Sequence, residues 1–551
     1  MTGAELRDAA AGWLARDPDP ATRAELEALL AAGDDAALRD RLDGRLAFGT
    51  AGLRAAMGAG PARMNRLVVR ESAAGIARHL LAHDPAARDR GAVVIHDARR
   101  NSRAFAADCA EVLAAHGIPV VAGADPLPTP VGVYAIRRLG CAAGIVITAS
   151  HNPAADNGLK LYLGDGAQIA PPVDAQVAAR IAEVAADGAV TPPGTAPAPV
   201  TALPADVVDG YCRDVLRHVP APARRLRIAT TAMHGVGGAL LARILAQAGH
   251  GDVHAVAEQE APDPDFPTVA FPNPEEPGAT DLLAALMARC GADLGLAVDP
   301  DADRVAVLVP AAGGPRRLTG DDVGALLGEW LLAEVTAGRD RLTVTSVVSS
   351  SLLGRIAAAH GAHHVETLTG FKWLSRPAIA HPGWTQVIAY EEAIGYAVGP
   401  DARDKDGLAA AAAVAAMASA YAARGWSLLD ALDALHLRHG AHVTANFSLR
   451  YEGTGWRERR DATLARLVET PPERIGGAGV SSIRMLAADV MRIDLAGDLR
   501  VVVRPSGTEP KLKCYCEAVE PVTGGDLTAA RARAAARLDA VRGALGDLLG
   551  A

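Results

Sequence analysis

Three carboxylates stand at alternate positions in Asp299-Pro300-Asp301-Ala302-Asp303, with Arg304 next. In an extended loop, residues i, i+2 and i+4 face the same side. Three like charges so close repel one another unless a cation sits among them. An EF-hand loop is excluded, because it requires glycine at its sixth position and glutamate at its twelfth, where this chain has Arg304 and Pro310. A hard ion with oxygen ligands fits better. Mg²⁺ is the leading choice, since it is commonly shared between a few carboxylates and a phosphate oxygen.

A second cluster, Thr148-Ala149-Ser150-His151-Asn152-Pro153, ends the apolar run at 144–147. A serine hydrolase with His151 as base is disfavoured: the G-x-S-x-G elbow is absent, and neighbouring side chains of an extended chain project to different sides. A serine that instead carries a phosphoryl group supplies the phosphate oxygen that a Mg²⁺ among the aspartates needs, so phosphoserine 150 and Mg²⁺ form one site. Lys160 follows ten residues later, in a chain with five lysines (160, 372, 405, 511 and 513) among 55 basic residues. Arginine is therefore the default cation, and it does not release its proton near neutral pH, whereas a lysine can be tuned to do so. Lys160 reads as a proton shuttle for a sugar oxygen, or else as an electrostatic partner of the phosphate. Arg504-Pro505-Ser506-Gly507-Thr508 has the guanidinium, hydroxyls and glycine of an anion nest. Thr369-Gly370-Phe371-Lys372 and Glu391-Glu392 carry groups able to grip sugar hydroxyls.

These clusters need elements to hold them. AVVIHDARRNS, GIVITASHNP, LGLAVDPDADR, QVIAYEEAIGY and LRVVVRPSGTEP each place polar residues directly after a short apolar run. Ligands of open α/β sheets gather beyond the carboxyl ends of strands, so the five clusters are candidate walls of one cleft. Between them, apolar runs of four to six residues alternate with longer segments of helical period, the pattern of parallel α/β units. Residues 1–44 read as a helical N-terminal extension. The Pro/Ala-rich stretch 191–206 reads as a linker, with softer boundaries near Gly320 and Gly440. The expected division is 1–44, 45–205, 206–320, 321–440 and 441–551, the last segment being more α+β. A chain of 551 residues with half its residues hydrophobic supports several cores. Its net charge of -9 argues against general nucleic-acid binding. Six cysteines without a C-x-x-C pair suit a reducing compartment, and the acid-bearing N-terminus does not read as a signal peptide. The uncharged, alanine-rich run at 407–423 is expected to be a buried helix rather than a membrane span.

TASHNP with NGLKLY, DPDADR, EEAIGY and RPSGTEP, together with FGTAGLR and GFKW, resemble the α-D-phosphohexomutase superfamily, in the family's order, over residues 45–551. The likeness is greatest to the branch that holds phosphoglucomutases, phosphopentomutases and glucose-1,6-bisphosphate synthases. It implies three similar α/β domains plus a C-terminal TATA-box-like α+β domain. It also implies an isomerase, interconverting glucose 1-phosphate and glucose 6-phosphate through a phosphoserine and a bisphosphorylated sugar. Phosphopentomutase, phosphomannomutase and glucose-1,6-bisphosphate synthase are the alternatives. A non-catalytic sugar-phosphate binding protein is the remote one.

By the same resemblance, Ser150 is the catalytic phosphoserine and joins Asp299, Asp301 and Asp303 on Mg²⁺, with Arg304 and His151 beside them. Lys160 is the general acid/base, and Arg54 of FGTAGLR helps hold the reacting phosphate. Thr369, Gly370, Lys372, Glu392 and Lys405 serve the sugar phosphate, and Arg504, Ser506, Gly507 and Thr508 clamp the phosphate that does not react. A sugar 1,6-bisphosphate is the implied activator. The implied partners are small-molecule sugar phosphates, with no nucleic acid or membrane, in a cytoplasmic monomer or dimer. One departure stands out: many relatives carry Gly-Glu-x-Ser-Gly, often followed by His, where this chain has Glu391-Glu392-Ala393-Ile394-Gly395-Tyr396. The missing hydroxyl and imidazole bear on the choice of sugar, not on phosphoryl transfer.

Overall fold

The computed structural model describes residues 1–47, 52–192, 194–451, 455–505 and 511–549. Contacts divide the chain into two compact units. The first comprises Met1–Thr319, Gly370–Ala380 and Ala393–Ser419. The second comprises Gly320–Thr369, His381–Glu392 and Ala420–Ala551.

In the first unit, the chain opens with helices Gly3–Leu14, Pro20–Ala32 and Asp35–Leu42. Thr2 and Glu5 start the first of them with a reciprocal capping box, and Leu6, Trp13, Leu26 and Leu38 bury against Leu67 and Val68. A six-stranded sheet follows, in the order Leu53–Ala56, Asp156–Leu163, Ala143–Ile147, Ala92–His96, Val120–Ala122, Val200–Ala202. Its strands alternate their side chains between two helical layers. Ala92 and Val94 join the core under helices Arg66–His83 and Ser102–Ala115, whereas Val93 and Ile95 face helix Thr129–Arg138. The stretch at 191–206 is not simply a linker: Val200–Ala202 pairs in parallel with Val120–Ala122 as an edge strand. Prolines that cannot donate to a ladder are tolerated at an edge, which is why composition alone conceals the strand. A second sheet runs Arg316–Arg317, Val305–Val309, Leu294–Val298, Arg227–Thr231, Asp252–Ala255.

The strands that carry the two acidic and serine clusters are not followed by helices. Ala143–Ile147 turns back antiparallel to Asp156–Leu163, and Leu294–Val298 turns back antiparallel to Val305–Val309. Each chemical loop is therefore the tip of a hairpin at the edge of a parallel sheet.

In the second unit, parallel strands pair in the order His363–Thr367, Arg341–Ser346, Thr385–Glu391. Beyond them lies an antiparallel sheet of Ala441–Arg450, Lys511–Glu520, Leu499–Pro505, Val490–Leu495, Ala478–Ala487 and Arg474–Ile475. Helix Leu527–Leu549 covers one face through Ala534, Leu538, Val541 and Leu545, the α+β arrangement expected for this segment. Helix Gly407–Ala423, which up to Ser419 belongs to the first unit, buries Leu408, Val414 and Met417, as its composition suggests, and among the described residues no single helix is long and apolar enough to cross a membrane.

Candidate active site

Ser150 is fully buried at the tip of the first hairpin. Its backbone is left-handed (φ 55°), a costly conformation for a residue with a Cβ, and its N–H donates to Thr148 Oγ1 at 2.8 Å. The turn is held open by Arg99, which lies just past the end of strand Ala92–His96. The Arg99 guanidinium donates to the carbonyls of Ser150 (2.7 Å), Asn152 (2.6 Å), Pro153 (2.8 Å) and Asp156 (3.2 Å). Asp97 pairs with it at 3.4 Å, and Phe266 lies against its face. Arg99 was not among the residues singled out from the sequence.

The left-handed turn changes one expectation. His151 Nδ1 comes within 3.2 Å of Ser150 Oγ, although neighbouring side chains of an extended chain would diverge. Burial, then the charges of Arg304 and Arg54, hold the His151 imidazole well below its usual pKa, so it is neutral.

The three aspartates also converge by a turn and not by an extended run: Ala302 is left-handed (φ 57°), and its N–H donates to the Asp299 carbonyl at 2.8 Å. Ligand oxygens of Asp299, Asp301 and Asp303 lie within 4.8 Å of one another, all buried. Ser150 Oγ donates to Asp299 Oδ2 at 3.1 Å, which brings the serine and the acidic cluster into one site. Lys160, 1% exposed and one strand away, donates to Asp301 Oδ2 at 2.7 Å and Asp303 Oδ2 at 2.6 Å. Thr129, at the start of helix Thr129–Arg138, ties down Asp301 through its hydroxyl (2.6 Å) and its N–H (2.9 Å). Lys405 Nζ stands 3.4 Å from Asp303 and lies over the Phe371 ring, and Arg304 Nε is 3.7 Å from Asp303. Arg54, half-buried on strand Leu53–Ala56, feels the charge of all three aspartates.

Burial, and then Asp303 and Asp301, raise the Asp299 carboxyl well above its usual range. Burial opposes charge on Asp303 too, but Lys160, Lys405 and Arg304 outweigh it and keep that carboxylate ionised. Lys160 departs from the expectation of a loosened proton. Burial works against its charge, yet Asp301 and Asp303 prevail and its pKa is raised.

These residues fit a divalent cation. Oδ1 of Asp301 and Oδ1 of Asp303 are buried and accept no hydrogen bond among the described residues, and the donor set is entirely hard oxygen.

Lys372 is buried 3.6 Å from Asp174, while Thr369 and Gly370 form the bend before helix Phe371–Leu374. In the second unit, the carboxyl of the half-buried Glu392 accepts from Ser346 Oγ at 3.2 Å, and its N–H donates to Ser349 Oγ at 3.1 Å. Burial, then Glu391 and Asp321, push Glu392 up to about 8, against the pull of Arg504. Arg504 donates to Tyr515 Oη at 2.8 Å and lies over that ring. Ser506, Gly507, Thr508 and residues 48–51 of FGTAGLR lie outside the described residues.

The chain matches the four domains described for phosphoglucomutase/phosphomannomutase proteins: α/β/α domain I at 45–187, domain II at 209–313, domain III at 319–435 and the C-terminal domain at 474–534. It is 38% identical over 465 residues to a probable phosphomannomutase of Haemophilus influenzae, covering 83% of this chain and 93% of that one. It is 34% identical to a phosphopentomutase of Mus musculus, covering 95% and 92%, and 32% identical to a phosphoglucomutase of Staphylococcus aureus, covering 87% and 90%. Its fold is that of a phosphoglucomutase/phosphomannomutase family protein from Burkholderia thailandensis, with a TM-score of 0.69 at 21% identity over 91% and 97% of the two chains. The chain belongs to the α-D-phosphohexomutase superfamily, and is a phosphomutase: an isomerase that moves a phosphoryl group within a sugar phosphate.

Proposed function

We propose that this enzyme interconverts α-D-glucose 1-phosphate and glucose 6-phosphate through a phosphoserine at position 150 and glucose 1,6-bisphosphate. The observation that carries the reading is Ser150 Oγ, 3.1 Å from Asp299 Oδ2, beside a buried acidic cluster that Lys160 bridges. In the first half-reaction the P–O bond to Ser150 Oγ breaks and a P–O bond to the sugar hydroxyl oxygen forms. One proton leaves that hydroxyl and one arrives at Ser150 Oγ. Charged Lys160 and neutral His151 suit the enzyme with Ser150 unphosphorylated, where Lys160 Nζ gives its proton to the departing sugar oxygen and His151 Nδ1, 3.2 Å from Ser150 Oγ, takes the serine's; transfer to the sugar starts from the opposite state, with Lys160 neutral and His151 charged. The second half-reaction returns the other phosphate of the bisphosphate to Ser150 with the same groups in reversed roles.

Asp299, Asp301, Asp303 and the Ser150 oxygen would hold a Mg²⁺ ion, which when bound neutralises charge on the phosphoryl oxygens. Arg54, Arg304 and Lys405 add positive charge for the transferring group. Burial of Ser150 and Lys160 denies water the phosphoryl group, whose hydrolysis is among the slowest known uncatalysed reactions. Glu392, with Thr369, Gly370 and Lys372, is assigned to the sugar. Arg504, Ser506, Gly507 and Thr508 are assigned to the phosphate that does not react.

A second reading, a mutase of ribose or deoxyribose phosphates, is favoured by two observations. The alignment with the mouse phosphopentomutase spans 95% of this chain, and the Glu392 loop has alanine, isoleucine and glycine where a hydroxyl would otherwise meet the sugar. Initial rates on glucose, mannose, ribose and deoxyribose 1-phosphates, with and without the matching bisphosphate, separate them. Glucose should give the highest kcat/KM and require the bisphosphate. A higher kcat/KM for ribose replaces the hexose reading, and bisphosphate building up from an external phosphoryl donor marks a synthase.

A further inference from the structure

Residues 346–351, Ser-Val-Val-Ser-Ser-Ser, link strand Arg341–Ser346 to helix Leu352–Ala359. Val347 and Val348 are buried against Val502 and Tyr515 of the antiparallel sheet. Ser350 Oγ and Ser351 N donate to Glu517 Oε1 at 2.6 and 2.9 Å. Arg500 donates to the Ser349 carbonyl and pairs with Glu517 at 2.8 Å and Glu366 at 3.0 Å. The hydroxyls on the same turn, Ser346 Oγ and Ser349 Oγ, are 2.8 Å apart and hold the Glu392 carboxyl and N–H.

Arg500, Val502 and Arg504 stand at alternate positions of strand Leu499–Pro505 and so share one face. That face gives the turn a guanidinium for its carbonyl and a valine for its valines, and it ends in the arginine assigned to the distal phosphate. The planar fork of a guanidinium spreads its donors over three nitrogens and so reaches a carbonyl and two carboxylates that lie apart, a span that the single nitrogen of an ammonium lacks. The loop beyond Glu392 offers no hydroxyl before Tyr396, so the aim of its carboxyl depends on this turn.

We propose that Arg500 is a positioning residue for sugar recognition: by holding the Ser349 carbonyl it sets the serine turn that aims Glu392, and it mounts Glu392 and Arg504 on one frame. The distance between the sugar-hydroxyl ligand and the distal-phosphate ligand is thereby fixed. The proposal rests on the assignment of Glu392 and Arg504 to sugar and phosphate.

The test is a double-mutant cycle in KM and kcat, with the sugar 1-phosphate that the enzyme turns over best. Arg500→Met should raise KM about tenfold with kcat within about threefold, as for lost uniform binding. Combined with Glu392→Ala, it should raise KM by clearly less than the product of the two single effects. Ser346→Ala with Ser349→Ala leaves the buried ion network intact, and should reproduce both results even if Arg500→Met fails to fold. Multiplicative rises in KM, or a native KM in the serine pair, overturn the role of the turn while leaving the sugar assignment standing. A native KM in Glu392→Ala alone overturns the sugar assignment and the proposal with it.

Discussion

Replacing Arg99 separates the stability of the serine turn from its chemistry. The side chain is 1% exposed and binds four carbonyls of one loop at 2.6 to 3.2 Å, with Asp97 as counter-ion. Arg99→Met strands a buried Asp97 and several carbonyls, and breaking a buried pair from one side costs about 3–5 kcal/mol. Arg99→Lys keeps a charge beside Asp97 but reaches only part of the fan of carbonyls, so its stability cost should be about 1–2 kcal/mol. Ser150 Oγ must nonetheless sit within a fraction of an ångström of its reacting position, and a misplacement of about 1 Å costs about 10²-fold in rate. The lysine variant should therefore melt only a few degrees lower, yet lose about 10²-fold in kcat with KM nearly native, because the groups Arg99 touches, the serine loop with Asp97 and Phe266, include none assigned to the sugar or the distal phosphate. Thermal melts and steady-state kinetics on one preparation supply both numbers. A lysine variant with kcat within threefold of native would refute the claim that this guanidinium positions the nucleophile.

Arg504→Met should chiefly raise KM, by about 10- to 100-fold if one charged hydrogen bond to phosphate is lost; an unchanged KM shows that Arg504 does not hold substrate. Chelation with EDTA should silence turnover and added Mg²⁺ restore it, while the melting temperature barely moves, because Lys160 already bridges Asp301 and Asp303; full activity in chelator contradicts the aspartate site. The half-buried Glu392 and buried Asp321, pushed up to about 8 and about 7, bind protons in the folded state that the unfolded chain has released. Their contribution to stability is full below about pH 4 and is lost as pH rises through 7 and 8. Glu391 adds to the shift of Glu392 and Arg504 opposes it. Melting temperature should fall between pH 5 and 8.5, and Glu392→Gln should flatten that slope; an equally steep slope in the variant assigns the effect elsewhere.

The sequence made the acidic cluster, Ser150 and Lys160 legible for a physical reason. Carboxylates at alternate positions need a cation, and a scarce lysine stands out against 50 arginines. The same abundance of arginine hid Arg99, whose role comes from carbonyls more than fifty residues away and not from any local pattern. Thr129 was hidden likewise, since its partner Asp301 is 172 residues distant. The left-handed turns at Ser150 and Ala302 could not be read from residues with a Cβ, so the acids were expected along an extended loop and His151 on a different side from Ser150. The hairpins that carry both loops were also missed, because the alternation of apolar runs and helices suggests parallel strands throughout. Ser346 and Ser349 gave no signal at all, since their partner Glu392 is brought to them only by the pairing of two distant strands.

The most direct measurement follows the phosphoryl group itself. Enzyme incubated with sugar 1,6-bisphosphate labelled in phosphate should carry one label per chain, on the peptide that contains Ser150. A chase with unlabelled sugar monophosphate should remove that label at a rate no slower than kcat, and Ser150→Ala should take up none. Label on another residue, label that the chase leaves in place, or full turnover by the alanine variant contradicts a phosphoserine at position 150.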